Sequence, residues 1–168
     1  MTNALEAVLL RAMIDAVLAD WAWHLDHGNY DAVAGLFTED ALFITGGVEL
    51  RGRAAIRSRY AERVAARSTR HTYSGLRLSP VAGDAEAGDL AGPDGDWPAQ
   101  VRARSTWVNF AVNATAPADS VPVDDVGVYL VADFDDVLTW YEDAQRWLIS
   151  ERHIIPVFRD PARAPVTG

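Results

Sequence analysis

Asp26 and His71 are the two residues whose types and positions point most directly to chemistry in this chain. A carboxylate held against an imidazole fixes the imidazole tautomer and stabilises its charged form, which gives a general base near neutral pH. Asp26 stands near the end of a pattern that predicts a helix over residues 3–27, and His71 stands near the start of a predicted strand over 70–80. Proton transfer therefore requires a fold that brings this helix end against this strand.

Each of the two residues also has a plainer interpretation. An aspartate near a helix end can bond nearby backbone or face solvent, and a strand histidine is commonly half-buried and bonded to a backbone carbonyl. A carboxylate on an apolar stripe is costly if it is buried without a partner, so Asp26 needs either a partner or a cavity. The residues alone leave both interpretations open.

Composition limits the classes of protein that need to be considered. A length of 168 residues predicts one domain, 1–168, with a single core. The net charge of −9 argues against nucleic-acid binding, because the basic stretch 51–70 is interrupted by alanines and acids and is typical of a solvated helix face. The absence of cysteine excludes disulfides, thiol nucleophiles and thiolate metal sites.

The chain carries no apolar run of the roughly 18 residues that a membrane span needs. Its first residues include acids and lack the charged-then-apolar pattern of a signal peptide, so we expect a cytoplasmic protein that does not bind membranes. Six tryptophans and five tyrosines are many for this length, and they suit a core, a subunit interface or an apolar ligand pocket.

The order of predicted elements favours an α+β fold, because helices come first and long strands follow. Helices are predicted at 3–27, 30–37 and 52–67. Strands are predicted at 41–45, 70–80, 99–113, 124–141 and 145–158, with polar loops at 82–98 and 114–122. The first helix has one apolar stripe that runs from Leu5 to Asp26 through Trp23, and a second formed by Leu18, Trp21 and Leu25.

Several short motifs occur in an order that resembles the SnoaL-like branch of the nuclear-transport-factor-two-like superfamily. They are Trp21-Ala-Trp-His-Leu-Asp-His-Gly-Asn-Tyr30, Leu36-Phe-Thr-Glu-Asp-Ala41, Gly52-Arg-Ala-Ala-Ile56, Arg70-His-Thr-Tyr-Ser-Gly-Leu-Arg-Leu78 and Trp147-Leu-Ile-Ser-Glu-Arg152. The resemblance implies a cone-shaped α+β barrel, in which a strongly bent, mostly antiparallel sheet wraps around three N-terminal helices and leaves an internal pocket.

The resemblance also implies an activity. In scytalone-dehydratase-like and dehydrochlorinase-like members, an aspartate matching Asp26 orients a histidine matching His71. It therefore implies a cofactor-free lyase or isomerase that abstracts a proton from a hydrophobic, cyclic or polyketide-like substrate. Two positions depart from the pattern of scytalone dehydratases. Leu25 stands where those proteins have a tyrosine. They also have a second histidine on the third strand, where the nearest polar residue of this chain is Asn109.

Strand alternation adds candidates for a substrate-binding wall. It puts Ser105, Trp107 and Asn109 on one face of the strand 99–113, and Tyr73 on the face of His71. It also puts His153 on the face of Trp147 and Ile149, with a bulge as a source of error. The predicted substrate-binding residues are Trp23, Tyr73, Ser105, Trp107, Asn109, Phe134 and His153.

Two further groups of charged residues are predicted not to be functional. Asp20, His24 and His27 have spacings that would allow a metal on the helix surface, but no further ligand completes the set, so we expect no metal. Asp133, Asp135 and Asp136 form the second group, but strand alternation separates Asp136 from the other two. The resemblance predicts that Asp136 has a structural partner in Arg152.

The main alternative to an enzyme is a non-catalytic subunit. The β subunits of ring-hydroxylating dioxygenases share the resembled fold and a similar Arg-His strand, and a protein that only binds a small ligand is a third interpretation. For the enzyme we expect a homodimer or homotrimer whose partner is a small hydrophobic substrate. The solution mass of the protein expressed alone distinguishes it from a subunit that needs a catalytic partner.

Overall fold

A computed structural model of the protein describes residues 2–63, 67–81, 98–113, 124 and 126–165. Its helices are α1 (Thr2–Asp26), α2 (Tyr30–Gly35) and α3 (Arg53–Ala61). Its strands are β1 (Phe37–Thr45), β2 (Val48–Arg51), β3 (Arg67–Pro80), β4 (Gln100–Asn113), β5 (Gly127–Tyr141) and β6 (Arg146–Arg159). Short 3-10 turns, Glu142–Ala144 and Pro161–Arg163, follow β5 and β6. The predicted loops at 82–98 and 114–122 lie almost wholly outside the described residues.

The six strands form one curved sheet in the order β2-β1-β6-β5-β4-β3. Neighbouring strands are antiparallel except β1 and β6, which run parallel. Register shifts interrupt four of the five pairings, and such bulges increase the local twist and bend of a sheet. The predicted α+β class with a bent, mostly antiparallel sheet is therefore confirmed, and the sheet is a cone that does not close, since β2 and β3 are its edges.

The buried face of α1 is the second of the two predicted stripes. Leu18, Trp21 and Leu25 are all buried, and so are Ile14 and Leu10, which lie one and two turns before Leu18. The first stripe was predicted wrongly as a core face, since Leu5, Val8, Leu9 and Trp23 are all at least half exposed. Apolar residues lie on several sides of this helix, so periodicity alone does not select the face that packs against the sheet.

Three element boundaries differ from the prediction. β1 begins at Phe37 rather than at residue 41, because the buried Phe37 pairs with Ile149 of β6. β2 was missed because it is only four residues long, although Val48–Arg51 alternates apolar and polar side chains and Gly46 and Gly47 supply the positive φ angles of a hairpin turn. The predicted helix 52–67 ends at Ala61, and its residues 64–66 lie outside the described part of the chain.

A buried ion pair joins β5 and β6 inside the cone. Arg152 Nε and one terminal nitrogen donate to the two carboxylate oxygens of Asp136 at 2.8 and 2.7 Å, and both side chains are fully buried. The guanidinium also lies 4.4 Å from the Trp21 ring centroid and 5.0 Å from that of Phe134. The predicted partnership of Asp136 with Arg152 is confirmed, and the Arg152 guanidinium packs against two of the aromatic rings that line the cavity described below.

Candidate active site

Asp26 and His71 meet where the end of α1 packs against β3. The two side chains are almost completely buried, and His71 Nδ1 lies 2.6 Å from Asp26 Oδ1. The backbone N–H of His71 donates to Asp26 Oδ2 at 2.7 Å, and the Thr69 hydroxyl donates to Oδ1 at 2.7 Å. A carboxylate at a helix C-terminus lies at the negative end of the helix dipole, so these three donors stabilise an otherwise unfavourable charge.

The donors also determine the ionisation of Asp26. Burial is the largest single influence and would raise the pKa of Asp26, but the hydrogen bond and charge of His71, the Thr69 hydroxyl and the His71 backbone N–H together outweigh it and lower the pKa below the usual 3.8. Asp26 is therefore a carboxylate throughout the neutral range, and it accepts hydrogen bonds from all three donors.

This pairing is expected to stabilise the fold at neutral pH and to lose its contribution in acid. A carboxyl whose pKa is lower in the folded state contributes fully above its unfolded-state pKa, and the contribution disappears as pH falls through the folded-state value. The difference in free energy of unfolding between the native protein and Asp26→Asn should shrink from about pH 5 to about pH 3. Denaturant titrations measure it, with Asp20→Asn, exposed on the same helix, as control. A difference that stays constant with pH would contradict the expectation.

The imidazole of His71 lines a cavity. Because Nδ1 donates to Asp26, the neutral ring carries its proton there and leaves the lone pair on Nε2. The edge of the His71 ring packs against Trp21, with ring centroids 5.4 Å apart. His71 is thus held in one orientation by Asp26 and Trp21, with the geometry of a general base.

The cavity has a volume of about 610 Å³ and is lined by His71 together with aromatic, aliphatic and cationic side chains and a carboxylate, that of Glu62. Trp107 and Phe134 form one wall, with their rings stacked at a centroid separation of 4.8 Å. Trp21 meets both rings edge-on, at 5.2 and 5.6 Å. The volume lies in the range of pockets that enclose a drug-sized ligand, and the flat aromatic walls suit a ring system.

Two polar side chains, Asn109 and Tyr60, line the cavity together with His71. Asn109 is the register partner of His71 across β3 and β4, and its Oδ1 is buried with no hydrogen-bond partner in the described part of the chain. Tyr60 reaches the cavity from α3, and burial raises its pKa to about 12, with the charge of Arg152 and the Trp21 indole opposing. Tyr60 therefore remains a neutral hydroxyl, which is able to donate a hydrogen bond.

Of the predicted substrate-binding residues, Trp107, Asn109 and Phe134 line the cavity. Ser105 does not reach it: the side chain is buried behind the wall, where its hydroxyl accepts a hydrogen bond of 2.8 Å from Trp107 Nε1. Ser105 therefore orients the indole that forms the wall.

Trp23, Tyr73 and His153 were predicted as cavity residues, and the structure places all three outside it. Trp23 is 63% exposed and stacks on His27, because the opposite face of α1 is the buried one. The Tyr73 hydroxyl is bonded to Asp15 of α1, at 2.7 Å from the carboxylate. His153 is exposed, because a register shift after Ile149 reverses the alternation of β6.

Sequence reasoning missed several cavity residues because they come from helices or from a misassigned segment. Trp21, Leu25 and Tyr60 line the cavity from α1 and α3. Arg67 lines the cavity from β3, and Thr69 lies between it and His71 on the same inward face, so steps of two residues back from His71 would have identified both. The predicted helix through residue 67 hid that signal.

Within the described ranges, no three His, Asp or Glu side chains are grouped as metal ligands would be. No helix among those residues is long and apolar enough to cross a membrane.

Comparison with known proteins identifies the family. The chain is similar to ActVI-ORFA from Streptomyces coelicolor, with 21% identity over 88% of this chain and 96% of that one and a TM-score of 0.65. It is also similar to a candidate scytalone dehydratase from Novosphingobium aromaticivorans, with 16% identity over 97% and 93% of the two chains and a TM-score of 0.69.

A third similar structure, from Catenulispora acidiphila, was solved in complex with S-DNPA; it has 22% identity over 89% and 94% of the two chains and a TM-score of 0.65. A search of curated proteins finds no significant match. A family model for the SnoaL-like domain matches residues 6–153, which is most of the chain. The protein therefore belongs to the SnoaL-like domain family, as its motifs and its cone-shaped fold indicated.

Proposed function

We propose that the protein is a cofactor-free lyase or isomerase (a dehydratase, isomerase or polyketide-type cyclase) that abstracts a proton with the Asp26–His71 dyad. The observation that carries the proposal is the 2.6 Å contact between Asp26 and His71 beside a large aromatic cavity. A histidine that only stabilised the fold would have no need to line such a space. Membership of a family that includes cyclases, isomerases and dehydratases supports the same conclusion.

The proposed step breaks a C–H bond next to a substrate carbonyl. The proton moves to His71 Nε2, the electron pair forms an enolate, and the imidazolium is stabilised by Asp26. Asn109 and Tyr60 are the proposed hydrogen-bond donors to the enolate oxygen, which they would stabilise more strongly than the neutral carbonyl. Return of the proton to another carbon gives isomerisation, loss of a β-hydroxyl as water gives dehydration, and attack on a second carbonyl gives ring closure.

The substrate class follows from the walls of the cavity. Trp21, Trp107 and Phe134 offer flat aromatic surfaces, which favour a hydrophobic cyclic or polyketide-like molecule. The ligand-bound relative from Catenulispora acidiphila, which holds S-DNPA, supports a small organic ligand in this fold. Exclusion of water by the same rings would strengthen the dyad and the hydrogen bonds to the enolate oxygen.

Deuterium exchange tests the proposal without knowledge of the natural substrate. Cyclic and fused aromatic ketones are incubated with the protein in D₂O, and exchange at the carbon next to the carbonyl is followed by NMR. We expect exchange catalysed by the native protein and by His27→Ala, whose imidazole is exposed outside the cavity. Exchange that persists unchanged in His71→Ala would overturn the proposed base.

The alternative of a non-catalytic subunit predicts a different solution behaviour. For the enzyme we propose a homodimer or homotrimer that is stable when expressed alone, and analytical ultracentrifugation measures its mass. A chain that aggregates alone and shows no exchange with any ketone would favour the subunit of a larger oxygenase. A stable oligomer that binds aromatic ketones without exchange would favour a ligand-binding protein.

A further inference from the structure

The arginines of α3 and its flanking segments fall into two groups according to their contacts. Each member of the first group forms an ion pair with a carboxylate: Arg51 with Glu49, Arg53 with Glu39, Arg57 with Asp31 and Arg59 with Glu62. The second group consists of Arg63 and Arg67, which form no ion pair with any carboxylate of the described residues. Both members of the second group line the cavity, as do Arg59 and Glu62, whose ion pair balances its own charge.

Arg67 is a buried cation whose hydrogen-bond partners are all neutral groups. Its side chain is nine-tenths buried, and one terminal nitrogen donates to Asn113 Oδ1 at 2.6 Å and to the backbone oxygen of Arg163 at 3.0 Å. The guanidinium lies 4.9 Å from the ring centroid of Tyr129. Its other terminal nitrogen is buried and has no hydrogen-bond partner in the described part of the chain.

Arg63 adds a second positive charge to the same wall. It donates to the Thr69 hydroxyl at 2.7 Å and to the backbone oxygen of Leu25 at 3.3 Å, again both neutral acceptors. Burial, and then the charge of Arg63, lowers the pKa of Arg67. Two neighbouring guanidiniums without a carboxylate are unfavourable in a half-buried site, and an anion bound between them would remove that cost.

We propose that Arg63 and Arg67 form an anion subsite of the cavity, and that the substrate carries a carboxylate which binds there. A guanidinium presents planar donors that match the two oxygens of a carboxylate. The proposal rests on the proposed function and deepens it by naming a group that the substrate must have. The two arginines would attract an acid locally, although the net charge of −9 on the whole protein repels one.

The Arg67 end of the subsite is remote from the reacting atoms, whereas Arg63 lies nearer to them through its hydrogen bond to Thr69. Arg67 and His71 both face inward on β3, and four residues of an extended strand separate their Cα atoms by roughly 13 Å. The carboxylate would therefore anchor the substrate at one end while His71 acts near the other. Binding energy from such a non-reacting group is available to position the reacting carbon.

Binding of a matched pair of probes tests the subsite by isothermal titration calorimetry. The probes are 2-naphthoate and 2-naphthamide, which share a ring system and differ in charge. We expect the native protein to bind the acid about tenfold or more tightly than the amide, a preference that added salt reduces. The ratio should fall toward one in Arg67→Gln and in Arg63→Gln, and it should be unchanged in Arg57→Gln, whose side chain pairs with Asp31 outside the cavity.

Equal affinity for acid and amide in the native protein, or no saturable binding of either probe, would overturn the anion subsite. A ratio that is unchanged in folded Arg67→Gln would do the same. Should Arg67→Gln fail to fold, Arg63→Gln and the ratio of the native protein decide the question. Because these are binding measurements, they are independent of catalysis: a preserved acid preference with no deuterium exchange on any ketone contradicts the proposed reaction alone.

Discussion

Replacing His71 with alanine, or Asp26 with asparagine, is expected to reduce turnover by about 10²-fold or more. His71→Ala removes the nitrogen that receives the proton. Asp26→Asn keeps the shape of the side chain, but its amide can donate to His71 Nδ1, which moves the ring proton to Nε2 and removes the base from the cavity. The measurement is kcat for any ketone that the exchange screen identifies.

Chemical rescue separates the two roles in this dyad. Imidazole added to His71→Ala should restore part of the lost turnover, because the missing ring leaves room for it beside Asp26. Imidazole should not rescue Asp26→Asn, in which the side-chain ring is present but in the wrong tautomer. Circular dichroism establishes that each variant is folded. Folded variants that retain the kcat of the native protein would remove Asp26 and His71 from the mechanism.

Removing the carboxylate of Asp136 is expected to lower the free energy of unfolding by about 3–5 kcal/mol. Asp136→Ala leaves the Arg152 guanidinium fully buried, without its bidentate partner and in contact with the Trp21 and Phe134 rings. The loss is a large part of the stability of an ordinary domain, which is about 5–15 kcal/mol. Denaturant unfolding measures it.

The matched comparison is a double replacement that removes both charges. Asp136→Leu combined with Arg152→Met exchanges the pair for apolar side chains, and it should be clearly more stable than Asp136→Ala, because no unpaired charge stays buried. Arg57→Gln, which breaks an exposed ion pair with Asp31, should leave unfolding nearly unchanged. A double variant as unstable as the single one would show that packing, rather than the unpaired charge, causes the loss.

The sequence was sufficient for the class of fold and for the residues that pair across its parts. Helices that precede long alternating strands predicted the α+β class, and the order of the motifs predicted the cone and the partnership of Asp136 with Arg152. The pairing of Asp26 with His71 came from the same resemblance, because the residues alone left a plainer interpretation of each one open. Alternation along β4 also placed Trp107 and Asn109 on the cavity face, because that strand is regular over those residues.

The tertiary structure decided what local patterns leave undetermined. The choice between the two apolar stripes of α1 depends on which stripe meets the sheet, so Trp21 faces the cavity and Trp23 faces outward. One register shift in β6 exposed His153, since an inserted residue reverses every later side chain of a strand. Arg63 and Arg67 join His71 in one cavity only when the end of α3 and the start of β3 are both in place. The sequence by itself therefore determined the fold class, and its family resemblance predicted the contact between Asp26 and His71, whereas the boundary of the cavity and its charge depend on contacts between distant elements.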